Sequence, residues 1–99
     1  MSILARDWRC RLGQIDVVAL DGDTVVVVEV KARRGLTFGL PQEAVDVRKR
    51  RKLRLLAHAY LGATGRRDHR VRIDVVALLL DRALQTVRCE HIRDAVGEA

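Results

Sequence analysis

Ile15-Asp16-Val17-Val18-Ala19-Leu20-Asp21-Gly22-Asp23-Thr24-Val25-Val26-Val27-Val28-Glu29-Val30-Lys31 is the stretch that decides how this chain folds. Two runs rich in β-branched residues flank an acidic turn containing glycine, which is a strong short-range signal for a β-hairpin. Ile15 to Leu20 reads as one strand and Thr24 to Lys31 as the other. Neither run alternates apolar with polar residues as a half-wet strand would, so the hairpin belongs in the middle of a sheet covered on both sides.

The turn also sets a register. With Gly22 and Asp23 as the loop, Asp21 pairs with Thr24, and counting outward places Asp16 opposite Glu29. Moving the loop to Asp21 and Gly22 makes Asp16 a diagonal neighbour of Glu29 and leaves the shared face intact. Opposed residues have Cβ atoms about 4.5 to 5.5 Å apart, where two like charges destabilise a sheet unless something neutralises them. Lys31, two residues beyond Glu29, points to the same side, while Val30 points into the opposite layer.

Two carboxylates and a lysine in a strand otherwise made of valine are expensive to bury unless they satisfy one another, and this marks them as a candidate site. A hard divalent cation, Mg²⁺ or Mn²⁺, suits such oxygen donors, keeps several waters and is completed by substrate phosphate. It would polarise a phosphodiester and lower the pKa of a bound water, with Lys31 orienting that water or countering developing charge. The competing reading makes Glu29 and Lys31 ordinary strand-end charges and gives Asp16 only local hydrogen bonds. Glu-x-Lys alone is weak evidence; its combination with an opposed Asp16 favours the site.

Working outward, Trp8 to Leu12 is short, alternating and basic, and reads as an edge-like strand broken by Gly13. Beyond Lys31, the stretch from Arg33, Arg34 and Gly35 to Gly39-Leu40-Pro41 reads as a loop. Asp46 to Leu61 is the long helix, with Asp46 as N-cap and Gly62 and Gly65 ending it. Its core stripe is Leu53, Leu56 and Tyr60, widened by Leu55 and Ala59. A further strand spans Val71 to Leu80, a last one Thr86 to Ile92, and a short helical tail follows. Trp8 and Phe38 read as core or loop anchors. Asp74, inside an apolar strand, either supports the site from behind or faces an arginine, and the second is preferred.

Ninety-nine residues support one hydrophobic core, hence a single domain over 1–99. Nineteen Lys and Arg against 13 Asp and Glu leave a formal charge of +6, which favours an acidic partner. Nucleic acid is the commonest such partner, because cations that displace counterions from phosphates gain binding energy from their release. Arg48, Lys49, Arg51 and Lys52 crowd the start of the helix beside Arg33 and Arg34, and these six are the candidate nucleic-acid contacts. A solvated helix face with snorkelling side chains explains the same pattern, and no aromatic residue interleaves to stack bases. Cys10 and Cys89 lie far apart, which argues against disulfide dependence and against a zinc site with His58, His69 or His91. No apolar run approaches the ~18 residues of a membrane span, and no targeting segment is visible, so the expectation is a cytoplasmic protein without membrane association.

Several short motifs occur together in order: Trp8-Arg9-Cys10-Arg11, Gly13-Gln14-Ile15-Asp16, Asp21-Gly22-Asp23-Thr24, Val28-Glu29-Val30-Lys31, Glu43-Ala44-Val45 and the basic Arg48-Lys49 helix. Over nearly the whole chain this set resembles the YraN-like family of uncharacterised bacterial proteins, which is related to PD-(D/E)xK nucleases. The resemblance implies an α/β fold like that of restriction endonucleases and archaeal Holliday-junction resolvases, a mixed sheet flanked by helices. It also implies metal ligands at Asp16 and Glu29, the Val30 carbonyl as a third, and Lys31 as the catalytic lysine. Two departures stand out. The helix carrying a glutamate that usually precedes the Trp8 strand has no counterpart in this sequence, so the expectation is either an N-terminally shortened domain or a biological start ahead of Met1, and Gln14 stands where a glutamate is common. Sheet surface left bare by a missing helix would favour association, a homodimer being one remedy. The Glu90-His91 pair resembles the family's closing segment, where packing is expected more than chemistry.

The reading that follows is a Mg²⁺-dependent endonuclease acting on DNA, branched or otherwise structured. Its alternatives are a non-catalytic nucleic-acid-binding module of the same fold, and a scaffold protein that binds a protein partner.

Overall fold

The computed structural model describes residues 1–34 and 47–95. The expectations placed on Gly35 to Pro41, Phe38, Glu43-Ala44-Val45 and the Asp46 cap lie outside those residues. Five strands form one mixed sheet in the order β1 (Ser2–Cys10), β2 (Gly13–Asp21), β3 (Thr24–Arg34), β4 (Arg70–Leu80) and β5 (Thr86–Ile92). Neighbours are antiparallel except β3 and β4, which run parallel, and the helix α1 (Val47–Ala63) lies in the connection between those two. The result is an α/β fold consistent with a restriction-endonuclease-like domain, with one helix among the described residues.

The hairpin has the expected register: Asp21 pairs with Thr24, and the ladder runs outward to Val17 opposite Val28. Gly22 takes φ +62°, which a left-handed turn position favours in a residue without a Cβ. As the two-sided valine pattern implied, β3 is the central strand. Val25 and Val27 face α1, while Val26 and Val28 join Ala19 in a second buried cluster on the far side.

The helix packs because its apolar residues recur at 3.6-residue spacing. Leu53, Leu56, Ala57, Tyr60 and Leu61 are buried against Ile15, Val18, Val25, Val27, Ile73 and Val75. Each fully buried Val or Leu stabilises the fold by roughly 1.5–3 kcal/mol relative to exposure, so this layer is the main cohesive term. Trp8 closes it at one side, edge-on to Tyr60 with ring centroids 5.3 Å apart.

Strands β2 and β4 extend a residue or two past the sequence reading, and three elements differ from it more. Strand β1 starts at Ser2 and ends at Cys10, with Arg11 and Leu12 in the turn before Gly13. Its first half was hidden because a register shift between Ile3 and Ala5, and a left-handed Asp7 at φ +51°, break the two-residue alternation. Strand β3 runs on through Arg33 and Arg34, held by β4 at Leu79 and Leu80, so these arginines extend the sheet and are not loop residues. Gly62 lies inside α1. The helix ends at Ala63, and Gly65 just beyond it takes φ +71°, which allows Arg66 N–H to donate to the Leu61 carbonyl at 2.8 Å. Leu55, 52% exposed, is not part of the stripe. After β5 the chain makes a turn at Arg93 and Asp94 in place of a helical start. Among the described residues no helix is long and apolar enough to cross a membrane.

Candidate active site

The β2–β3 ladder stops one rung short of Asp16 and Glu29. A continued ladder would send the Val30 amide to the backbone of Ile15; it donates instead to Asp16 Oδ2 at 2.9 Å. Beyond that point β2 stays with β1 as far as Gly13, and β3 stays with β4 as far as Arg34. The sheet therefore forks at Asp16, and a carboxylate caps the opening where a backbone carbonyl would have been. Ile15 turns into the helix-side core together with Val18, a break in alternation that accompanies the fork.

Helix α1 lies over this fork. Gln14, Asp16, Glu29, Lys49, Lys52, Leu53 and Leu56 line a cleft of about 290 Å³. Glu29 is only 6% exposed, and its Oε1 lies 3.3 Å from Lys31 Nζ and 3.2 Å from Lys49 Nζ. A nearly buried carboxylate is thus matched by two ammonium groups, as its low exposure demands. Gln14 is fixed from outside: its Nε2 donates to Asp7 Oδ1 at 3.0 Å. At Gly13 (φ +146°), a Cβ would lie 3.1 Å from Lys52 Cε, so the glycine lets this lysine cross the strand closely.

Of the residues singled out in the sequence, Asp16, Glu29 and Lys31 come together at the fork. Val30 belongs to it through its backbone alone, since its side chain packs on the far cluster. The six basic candidates divide. Lys49 and Lys52 line the cleft, whereas Arg48 and Arg51 are exposed on the helix and Arg33 and Arg34 are exposed at the end of β3. Sequence reasoning did not place Lys49 against Glu29 and treated Gln14 only as a lost carboxylate. A signal for Lys49 was present: it precedes Leu53 by four and Leu56 by seven residues, which puts it on the buried face of α1.

Asp74 belongs to a separate network on the opposite face. Fully buried, it receives Arg72 Nε at 3.1 Å and the Asp94 amide at 2.9 Å, and His91 Nε2 lies 2.8 Å away. Arg72 also donates to Asp21 Oδ2 at 2.8 Å. Burial alone would push the Asp74 carboxyl up, but the hydrogen bonds from the Asp94 amide, Arg72 and His91 outweigh it and hold the group below the usual carboxylate range. Asp74 therefore faces an arginine, as preferred, and pins the turn after β5 to β4. His91 serves this packing.

The donors at the fork suit a hard divalent cation in an open setting. Among the described residues no group of three or more His, Cys, Asp and Glu side chains converges, so no closed cage is formed. Two carboxylates with the Gln14 amide beside them make an oxygen-rich set of the kind Mg²⁺ uses when water and phosphate complete its shell.

The fork, with its two carboxylates and three lysines, sits in a mixed α/β sheet consistent with a restriction-endonuclease-like domain. The profile described as "Uncharacterised protein family UPF0102" matches residues 1–78. A UPF0102 protein of Rhodococcus jostii is 50% identical over 95 residues, covering 96% of this chain and 80% of its own. One from Moorella thermoacetica is 50% identical over 93 residues, covering 94% and 78%, and one from Acidothermus cellulolyticus is 53% identical over 105 residues, covering 96% and 79%. The chain belongs to the UPF0102, or YraN-like, family.

Proposed function

We propose that this protein is a Mg²⁺- or Mn²⁺-dependent endonuclease that hydrolyses phosphodiester bonds in DNA, with branched or otherwise structured DNA as the first substrate class to test. The observation that carries this reading is the fork, which directs Asp16 and Glu29 into one cleft beside Lys31 under a lysine-bearing helix. Asp16 and Glu29 would hold the cation, with the Val30 carbonyl as a further oxygen. When bound, the ion supplies Lewis-acid polarisation of the phosphodiester and acidifies a coordinated water.

The remaining roles fall to the chain's own groups. Asp16 is oriented by the Val30 amide, so its position does not depend on a ligand. Glu29 Oε1 holds Lys31 Nζ at 3.3 Å, and from beside this carboxylate the ammonium can orient the attacking water and stabilise charge that builds on the phosphoryl oxygens. Lys52 in the cleft lining, with the exposed Arg33, Arg34, Arg48 and Arg51 elsewhere on the strand end and helix, supplies positive charge for the phosphates of a substrate. These groups track a backbone and carry no sequence readout, which fits recognition by shape.

Incubation of branched, flapped and linear DNA with Mg²⁺ or Mn²⁺ tests the proposal. Divalent-dependent cleavage that is lost in Asp16→Asn and Glu29→Gln is expected, and cleavage undiminished in both variants overturns it. A second reading, a binding module without catalysis, draws on Gln14 in place of a carboxylate and on Glu29 being matched by two lysines already. Salt-sensitive DNA binding with no cleavage under any divalent ion is its signature.

A further inference from the structure

Three acceptor side chains line the cleft, and each is anchored through one atom. Asp16 is held at Oδ2 by the Val30 amide, Glu29 at Oε1 by two lysines, and Gln14 by its Nε2, which donates to Asp7. Among the described residues no donor engages the other oxygen of any of the three, Asp16 Oδ1, Glu29 Oε2 or Gln14 Oε1. Neither carboxylate oxygen is sealed from solvent without a partner, so both open to the cleft.

Two of these oxygens belong to the carboxylates already assigned to the cation. The third belongs to an amide whose direction is fixed. An amide donates from nitrogen and accepts at oxygen, whereas an ionised carboxylate can only accept. Facing Asp7 Oδ1 at 3.0 Å, Gln14 must present its nitrogen there, which leaves its oxygen on the other side of the planar group. Asp7 is not part of the cleft lining, while Gln14 and Asp16 are, two residues apart on β2. The backbone departs from a regular strand at Asp7: Arg6 pairs with Val17 and Trp8 with Ile15, but Asp7 between them takes φ +51°, a conformation that Asp tolerates better than most residues.

Resting on the endonuclease reading, we infer that Gln14 is a further cation ligand through Oε1, and that Asp7 is the positioning residue that aims it. Amide carbonyls are ordinary ligands of hard cations. A carboxylate at position 14 would repel Asp7; the amide satisfies Asp7 and supplies a neutral oxygen with the same group. Asp7 acts through its hydrogen bond from behind the ligand, as carboxylates that support metal-binding side chains do.

Calorimetric titration of Mn²⁺ into the full chain, without nucleic acid or turnover, tests both roles. Both residues are exposed, so their replacement leaves the core untouched. Gln14→Ala removes the oxygen, Asp7→Gly removes the acceptor while tolerating φ +51°, and Asp7→Asn keeps an acceptor oxygen without the charge. Gln14→Ala and Asp7→Gly should each bind Mn²⁺ about tenfold more weakly than the parent, the low end of what a lost supporting group costs a metal site, and Asp7→Asn should bind as the parent does. Because Asp7 acts only through Gln14, Asp7→Gly combined with Gln14→Ala should bind as Gln14→Ala alone does. Parent-like binding by Gln14→Ala, with binding lost in Asp16→Asn, overturns the inference and leaves the endonuclease reading standing. Equal losses in Asp7→Asn and Asp7→Gly, or additive losses in the combined variant, mean that the charge of Asp7 acts directly on the cation, and overturn its positioning role. No Mn²⁺ binding by the parent, or binding unchanged in both Gln14→Ala and Asp16→Asn, removes the inference and the endonuclease reading together.

Discussion

Asp16 has a structural duty that can be separated from its proposed chemical one. Replacing it with alanine removes the acceptor of the Val30 amide, the contact that caps the sheet at the fork. A hydrogen bond to a charged acceptor contributes roughly 1.5–3 kcal/mol net, and a stranded buried donor costs roughly 1–3 kcal/mol; these are two descriptions of one loss. Asp16 is half-buried and the cleft is open, so water recovers part of the donor's needs and the low end applies. Relief of repulsion with Glu29 offsets little, because Lys31 and Lys49 already counter that carboxylate at 3.3 and 3.2 Å. The net expectation for Asp16→Ala is a loss of about 1–2 kcal/mol. Asp16→Asn keeps an oxygen in place without its charge and should lose less than about 1 kcal/mol. Urea unfolding in the presence of a chelator measures both, and with slopes of about 1–3 kcal/mol/M the alanine midpoint should fall by roughly 0.5–1 M. Added Mn²⁺ should stabilise the parent and neither variant. An alanine variant as stable as the parent would refute the idea that this carboxylate holds the fork.

Further expectations concern residues away from the cleft. Asp74→Ala breaks a buried ion-paired network and should lose about 3–5 kcal/mol in urea unfolding, with cation binding at the fork retained. Because the folded-state pKa of Asp74 is lowered from 3.8, its contribution is complete above the ordinary carboxylate range and is lost as pH falls through the folded value. The parent's acid-side loss of stability should therefore shrink in Asp74→Ala, which a series of unfolding curves from neutral to acid pH will show. Reversing Arg48 and Arg51 to glutamate should weaken DNA binding uniformly across sequences and flatten the salt dependence by a slope of about 2, measured by fluorescence anisotropy at several salt concentrations.

The hairpin was legible because its register is a counting problem: once Gly22 and Asp23 form the loop, Val17 must meet Val28, and Glu29 and Lys31 must share a side. The helix stripe was legible for the same reason, since Leu53, Leu56 and Tyr60 repeat at helical spacing. The fork was not. It depends on whether the Val30 amide bonds to backbone or to a side chain, a choice between two acceptors that no periodicity encodes. Lys49 was hard to separate from its neighbours because a run of basic residues looks uniform in sequence, although only part of it lies over the core. Gln14 takes its orientation from Asp7 on a strand whose start was itself obscured by a bulge. The network around Asp74 draws partners from β4, the hairpin turn and the chain after β5, contacts at long separations that only the tertiary fold creates.

A crystal of the protein soaked in Mn²⁺ and measured for anomalous scattering addresses the central claim most directly. The expected result is a single strong peak at the fork, within about 2.0–2.3 Å of carboxylate oxygens from both Asp16 and Glu29. A fork without such a peak, the ion binding elsewhere or nowhere, would contradict the proposed cation site.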